Sequence, residues 1–312
     1  MKKTRIDIVY AKRKSTAIDS IPWVEGLSEY LKIDPEITVS CALDGTPEAD
    51  LIISPMGTGH NHSKSSRALS DVIKNSSCPK LIVTKGIFSG WGNMTMTFSY
   101  IDSGGHINLF PKKRMMQPEH IRRLIKRKPT GFSIQPWKRN GDYFLFCAQN
   151  SRPPYFSYYY NISYNTWAYN CIQHLLKKTD EKIIYRFHPR KYHQNENLRF
   201  GKRLTELSDR IEVSPFEKSL QDDFEGAKKV FTYNSGVAIK SVFAGIPTVV
   251  GCRYFTGPTA VVGYENFKKN LRPNRTEWFY RLAHTTWSNK EVLDGKANSY
   301  IYELGMKKDF KR

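Results

Sequence analysis

A short polar segment, Asn234-Ser235-Gly236, lies between an apolar run and a helix-forming stretch in the sequence VFTYNSGVAIKSVFAGIPTVVG, residues 230–251. The order strand, turn, helix, Gly-Pro turn, strand is typical of one unit of a parallel α/β sheet. A helix start presents unpaired backbone N–H groups and the positive end of the helix dipole, so Ser235 and Gly236 could hold a phosphate. Small polar residues at this position also serve simply as helix caps, and both interpretations stay open.

A second polar turn follows another apolar run, in the sequence KIIYRFHPR, residues 182–190. Two arginines suit a diphosphate, and the proline makes the chain leave the sheet at once. We expect this turn and the Ser235 turn to follow neighbouring strands of one sheet and to form a nucleotide site together. The predicted nucleotide-binding residues are Arg186, His188, Pro189, Arg190, Asn234, Ser235, Gly236 and Lys240.

Two successive α/β patterns must position these turns. Apolar runs alternate with helix-like segments from residue 1 to about 110, and a second alternation begins after a turn-rich linker, TGFSIQPWKRNGD. We predict an α/β protein with two Rossmann-like domains, the first over 1–135 and the second over 136–312 with closing helices at its end. Ligands of such sheets bind outside the carboxyl ends of the strands, so both turns should face a central cleft.

Three segments carry a family resemblance: His188-Pro189, NSGVAIKSVFAGIPTVVG and WFYRLAHTTWSNKEVLDG. They resemble the capsule polysaccharide glycosyltransferase family, whose relatives include bacterial transferases that use CMP-activated acidic sugars. The resemblance implies a GT-B type fold in which residues 1–135 form the acceptor-side domain and residues 136–312 form the nucleotide-sugar-binding domain. In that second domain the donor nucleotide lies between a His-Pro turn and a Ser-rich helix start. A phage-type DNA-modifying relative is a further possibility within this resemblance.

The sequence departs from that family at two places. Lys240 stands where the family often has a glutamate, and Lys85-Gly86 stands where an acidic residue often precedes the glycine. The donor is therefore expected to be a nucleotide sugar with either UDP or CMP as its nucleotide. No DxD-type metal motif occurs, Asp222-Asp223 lies in a segment predicted as an exposed helix, and we expect no metal requirement.

Glycosyl transfer needs a group that stabilises the leaving phosphate and often a base that takes the acceptor proton. The segment YIDSGGH supplies the best predicted base, Asp102, with His106 next. His60 and His62, in the loop GTGHNHSKSSR, rank behind them. His188 is predicted to stabilise the leaving group together with Arg190, Ser235 and Lys240.

The strongest signal in the composition is charge. The chain has 49 Lys and Arg against 29 Asp and Glu, a net charge of +20, and residues 111–140 hold ten basic residues and one acid. Such a field attracts polyanions, although charge runs also occur on solvated linkers. The predicted nucleic-acid contacts are Lys112, Lys113, Arg114, Arg122, Arg123, Lys126 and Arg127.

Three functions follow from these features, in this order. The first is glycosylation of a hydroxymethylated base in duplex DNA. The base would flip into a pocket rimmed by the Arg/Lys cluster 112–128 and by the aromatic residues of RPPYFSYYYNISYNTWAYN. The second is a glycosyltransferase of capsule or lipopolysaccharide biosynthesis that acts on a glycan or lipid-linked acceptor. The third is a non-catalytic nucleic-acid-binding protein.

The remaining expectations concern compartment and assembly. No segment reaches the ~20 apolar residues that a membrane span needs, and the basic N-terminus lacks the apolar stretch of a signal peptide. The five cysteines are widely spaced, which favours buried thiols over disulfides or a zinc site. We expect a monomer in the cytoplasm of a bacterium or of a phage-infected host.

Overall fold

The structure is a computed structural model, and it describes residues 4–9, 21–33, 37–42, 49–54, 78, 80–85, 95–101, 107–108, 134–149, 164–189, 194–233, 235–251, 256, 259–269, 271–288, 291 and 294–298. The chain divides into two compact units. One consists of residues 1–127 together with 280–312, and the other consists of residues 128–279.

Strands and helices alternate along most of the described chain. In chain order they are β1 (Thr4–Val9), α1 (Ile21–Lys32), β2 (Ile37–Ala42), β3 (Leu51–Ser54), β4 (Lys80–Lys85), β5 (Thr95–Ile101), β6 (Ile107–Asn108), β7 (Tyr143–Cys147), α2 (Tyr164–Lys178), β8 (Lys182–Arg186), α3 (Gln194–Thr205), β9 (Ile211–Val213), α4 (Leu220–Glu225), β10 (Ala227–Thr232), α5 (Gly236–Phe243), β11 (Thr248–Val250), β12 (Val261–Val262), α6 (Thr276–Thr285) and β13 (Thr286–Ser288).

The first unit contains a mixed sheet with the order β13-β5-β4-β3-β1-β2, and β6 pairs with β5. Strands β1 to β4 are parallel as predicted, whereas β5 runs antiparallel to β4, β6 and β13. The interior strand β1 is buried on both faces, because Ile6, Asp7 and Ile8 are all 0% exposed. Strand β5 is not among the strands predicted from the sequence, and its antiparallel pairing makes this sheet mixed at the β4–β5 edge.

The second unit contains a fully parallel sheet with the order β12-β11-β10-β7-β8-β9. Alternate residues of β7 pack on opposite faces, Phe144 and Phe146 in one core cluster and Leu145 and Cys147 in another. This alternation follows from the two-residue period of a strand. Helix α2 covers the first face, and α4 covers the second through Phe224. The sheet is thus covered on both faces, as the continuous apolar runs of its strands predict.

The C-terminal tail differs from its prediction. The sequence predicts a helical tail, and α6 confirms its first part, but Thr286, Trp287 and Ser288 then form β13 and pair antiparallel with β5. This pairing makes the first unit discontinuous in sequence. The pairing covers the first three residues of β5, which would otherwise leave backbone groups unpaired at a sheet edge, since β6 reaches only Tyr100 and Ile101.

The described cysteines match the sequence expectation of buried thiols. Cys78, Cys147 and Cys171 are free and buried, and burial raises the pKa of Cys147 to about 12. None of the helices within the described ranges is long and apolar enough to cross a membrane.

The turn after α5 requires glycine. Gly245 has a positive φ of 72°, and a Cβ there would lie 2.0 Å from the carbonyl oxygen of Pro136. We expect Gly245→Ala to lower the free energy of unfolding by about 3 kcal/mol or more, since a left-handed backbone and a steric overlap both oppose the methyl group. Urea unfolding followed by circular dichroism measures the change.

Gly236 provides the matched control, because a Cβ built there meets no atom within 4 Å. Gly236→Ala should change the free energy of unfolding by less than about 1 kcal/mol. Equal unfolding midpoints for the two variants would show that the Gly245 turn relaxes at little cost.

Candidate functional site

The carboxyl edge of the second sheet contains a topological switch point. From β7 the chain proceeds to β8 and β9 on one side and then returns to β10, β11 and β12 on the other. Doubly wound sheets bind ligands at the carboxyl ends of the two strands where this reversal occurs. Here those strands are β7 and β10, which are followed by Ala148 and by the segment that leads to Ser235.

Ser235 caps α5, as one of the two open interpretations predicts. Its side chain accepts a hydrogen bond from the backbone N–H of Val237 at 3.3 Å, and its backbone is extended. The next residue, Gly236, is exposed and has open space where a side chain would stand. The helix start is therefore accessible to an anion, and the capping hydroxyl does not block it.

Lys240 lies one helical turn after Gly236, so the two residues share a face of α5. The Cα–Cβ bonds of a helix tilt toward its N-terminus, which brings the base of the lysine side chain toward the accessible helix start. Lys240 is half-buried, and this burial lowers its pKa. An anion bound beside it would favour the charged form, so a phosphate and this ammonium group would stabilise each other.

His188 and Pro189 follow β8 on the same edge of the sheet, with His188 half-buried and Pro189 exposed. The expectation that the His188 and Ser235 turns follow neighbouring strands is wrong, because β7 lies between β8 and β10 and pairs with both. The ends of β8 and β10 are two strand spacings apart, a distance of about 10 Å. Arg190 and Asn234, the other predicted members of these turns, lie outside the described residues.

Arg186 belongs to a buried ionic cluster that the sequence does not predict. Its Nη1 atom donates to Oδ2 of Asp223 at 2.5 Å and to the carbonyl oxygen of Ser219 at 3.3 Å. Ser214 Oγ donates to the same carboxylate oxygen at 2.7 Å, and Lys218 Nζ lies 2.9 Å from Oδ1. The arginine predicted to bind a diphosphate therefore holds α4 against the end of β8, and direct contact with a diphosphate stays a prediction.

Asp223 is fully buried, so the prediction of an exposed Asp222-Asp223 pair is right for Asp222 and wrong for Asp223. Burial alone would raise the pKa of Asp223, but hydrogen bonds from Ser214, Lys218 and Arg186 outweigh it and leave that pKa below its usual value. The carboxylate is thus charged in the folded protein. It fixes the position of Arg186 two residues before His188.

The predicted catalytic and nucleic-acid residues of the N-terminal part fall outside the described ranges. These are Asp102, His106, His60, His62, Lys112, Lys113, Arg114, Arg122, Arg123, Lys126 and Arg127. The described strands that flank the first two are β5 and β6, and Ile101 pairs with Ile107. Within the described ranges, no cluster of three or more His, Cys, Asp or Glu could hold a metal ion, and metal independence stays a prediction.

Among known proteins, the chain matches solved structures by fold but matches nothing by sequence. No protein-family model matches the sequence, and no curated protein is similar to it in sequence. The beta Kdo 2,4 transferase of Thermosulfurimonas dismutans KpsC is 12% identical and aligns over 93% of this chain and 97% of its own, with a TM-score of 0.52. The beta Kdo 2,7 transferase of that protein is 13% identical over 96% of this chain and 100% of its own, with a TM-score of 0.47.

A third structure, the E. coli heptosyltransferase WaaC with ADP-2-deoxy-2-fluoro heptose, is 12% identical over 79% of this chain and 88% of its own, with a TM-score of 0.25. These structural matches support no phage-type or DNA-modifying relative. The similarity to the first structure, together with the two α/β sheets, confirms the predicted fold class: the chain has the Rossmann-like architecture of the GT-B type.

Proposed function

We propose that this protein is a glycosyltransferase that moves a sugar from a nucleotide-sugar donor to an acceptor hydroxyl. The observation that carries this proposal is the accessible start of α5, where Ser235, Gly236 and Lys240 lie beside the switch point of a parallel sheet. A further support is that the structure aligning over 93% of the chain is that of a beta Kdo 2,4 transferase.

The donor phosphate would bind at the start of α5. In the reaction the acceptor oxygen attacks the anomeric carbon, the bond from that carbon to the phosphate oxygen breaks, and the nucleotide leaves with the bonding electrons. Backbone N–H groups of the helix start and the Lys240 ammonium would stabilise the charge that develops on the phosphate, and His188 would contribute from the β8 side. The acceptor proton passes to a base, for which Asp102 remains the predicted residue.

A glycan or lipid-linked acceptor, of the kind used in capsule or lipopolysaccharide biosynthesis, is the acceptor class that we favour. The sequence alone ranks a DNA base first because of the net charge, but the basic residues 112–127 lie outside the described ranges. The transferase fold match supports the glycan acceptor, and nothing comparable supports DNA. The proposed ranking is therefore the reverse of the ranking from sequence. We leave the donor nucleotide as UDP or CMP.

The proposal is tested by calorimetric titration with a panel of CMP- and UDP-sugars, followed by mass spectrometry of glycan acceptors incubated with the donor that binds. Duplex DNA with hydroxymethylated bases is included as a second acceptor. Mass added to a glycan supports the proposal, whereas mass added to the DNA alone would restore the first hypothesis from sequence. No binding by any nucleotide sugar would contradict a glycosyltransferase.

Ser235→Ala and Ser219→Ala form a matched pair for this titration. Each substitution removes an N-cap, since Ser219 accepts a hydrogen bond from the N–H of Asp222 at the start of α4. Each should cost a similar stability of about 1 kcal/mol. Only Ser235→Ala should weaken donor binding, and equal affinities in the two variants would remove the donor from the start of α5.

Lys240→Met separates binding from stability. We expect donor affinity to fall about 10- to 100-fold, the effect of losing one hydrogen bond to a charged phosphate. The free energy of unfolding should change by less than about 1 kcal/mol, because methionine keeps most of the apolar part of the side chain and burial already disfavours the charged ammonium. Titration of the donor and urea unfolding measure the two effects, with Lys202→Met on the exposed face of α3 as the control.

A further inference from the structure

A basic pocket of about 390 Å³ lies at the amino-terminal edge of the second sheet. Its position follows from the parallel strands, because Lys228 and Lys229 lie near the start of β10 whereas Ser235 follows its end. The length of β10 places the pocket roughly 15–20 Å from the start of α5. The cations that line it are Arg139, Lys178, Lys228, Lys229, Lys268 and Arg272.

The positive charge of this pocket is not neutralised by the acidic residues that line it. Glu181 is the one acid among the lining residues that the structure describes, and its carboxylate already pairs with Lys228. Arg272 donates to the carbonyl oxygens of Lys138, at 3.0 Å, and Arg139, at 3.3 Å. Carbonyl oxygens satisfy the hydrogen bonds of the guanidinium but do not neutralise its charge.

Lys229 shows the consequence of this imbalance most clearly. The residue is 8% exposed, and its ammonium group donates to the carbonyl oxygen of Phe267. Burial, together with the nearby charges of Arg272 and Lys228, lowers the pKa of Lys229, and Glu181 only partly opposes that effect. A buried cation among other cations is costly unless an anion compensates it.

We propose that this pocket binds a phosphate-bearing ligand at a second anionic site, separate from the candidate donor site. Lysine and arginine side chains are the usual ligands of phosphate groups, and six of them converge here on one concavity. The volume lies in the range of ordinary small-molecule sites, and the rings of Phe144 and Phe267 provide an apolar surface for a small organic part. The phosphate belongs either to a soluble metabolite or to a lipid head group.

Two exposed residues of the pocket, Lys178 and Lys268, make the proposal testable without disturbing the fold. Their chain neighbours Lys177 and Lys269 are equally exposed but do not line the pocket. The double variants K178Q/K268Q and K177Q/K269Q therefore remove the same charge from nearly the same places. Calorimetric titration with inorganic pyrophosphate at fixed ionic strength should show at least about tenfold weaker binding in the first variant and little change in the second.

A second arm distinguishes the source of the phosphate. Sedimentation with phosphatidylcholine vesicles, with and without phosphatidylglycerol, should show the same dependence on Lys178 and Lys268 if the ligand is a lipid head group. If pyrophosphate binding depends on Lys178 and Lys268 but vesicle binding does not, the ligand is a soluble one. The proposal would be overturned if both double variants lost the same binding affinity. It would also be overturned if K178Q/K268Q lost neither pyrophosphate binding nor vesicle binding. Nucleotide-sugar affinity should be unchanged in K178Q/K268Q, so this test is independent of the donor site.

Discussion

Asp223→Ala is expected to lower the free energy of unfolding by about 3–5 kcal/mol, because it leaves the Arg186 guanidinium buried without its partner. The carboxylate is fully buried and the arginine side chain is 16% exposed, so water replaces the lost contacts of Arg186 only in part. Ser214 and Lys218 lose a partner as well. Urea unfolding at neutral pH measures the loss.

An exposed ion pair between β8, the strand that carries Arg186, and its neighbour β9 provides the control. Lys182 Nζ lies 2.6 Å from Glu212 Oε1, but the two side chains are 45% and 56% exposed. Glu212→Ala should therefore cost no more than about 1 kcal/mol, as surface pairs generally do. Similar losses for Asp223→Ala and Glu212→Ala would mean that burial does not strengthen the Arg186–Asp223 pair.

The pH dependence of the Asp223 effect has a definite sign. The pKa of Asp223 is lower in the folded protein than in the unfolded chain, because the hydrogen bonds from Ser214, Lys218 and Arg186 outweigh burial. Its contribution is thus complete above the unfolded pKa of about 3.9 and is lost as the pH falls through the folded value. The stability difference between the wild-type protein and Asp223→Ala should accordingly shrink as the pH is lowered below about 4.

The strands and turns of the second unit could be predicted because their signals are local. Each apolar run of the predicted C-terminal domain is a strand in the structure, and Gly245-Ile246-Pro247 lies in the connection from α5 to β11. The cap formed by Ser235 follows from residue type and position alone. Strand order could not be predicted in the same way, since nothing near His188 or Ser235 indicates that β7 lies between their strands.

The burial of Asp223 and the basic pocket could not be predicted either, because both depend on residues that are distant in sequence. Two adjacent aspartates in a six-residue helix give no periodicity that shows which one faces inward, and the arginine that decides it precedes Asp223 by 37 residues. The pocket collects side chains from segments around residues 139, 178, 228 and 268. The excess of basic residues is visible in the composition. Which of them meet in one pocket depends on the order of the strands.

Asp102→Asn is expected to lower turnover by about 10²- to 10⁴-fold and to leave donor affinity unchanged, because a positioned general base contributes to that extent. The substitution keeps the size of the side chain and removes its basicity. Asp102 immediately follows β5, His106 immediately precedes β6, and the flanking residues Ile101 and Ile107 pair with each other. The chain segment that carries both candidate bases thus begins and ends at neighbouring points of the first sheet.

The measurement compares turnover of Asp102→Asn and His106→Asn with the donor and acceptor that the titration panel identifies, together with calorimetric donor affinity for each. A large loss of turnover with intact donor binding in Asp102→Asn alone assigns the base to Asp102. The same pattern in His106→Asn alone would transfer that role to His106. Weaker donor binding in Asp102→Asn would place this carboxylate with the donor instead of the acceptor, because a base acting on the acceptor hydroxyl has no part in binding the nucleotide.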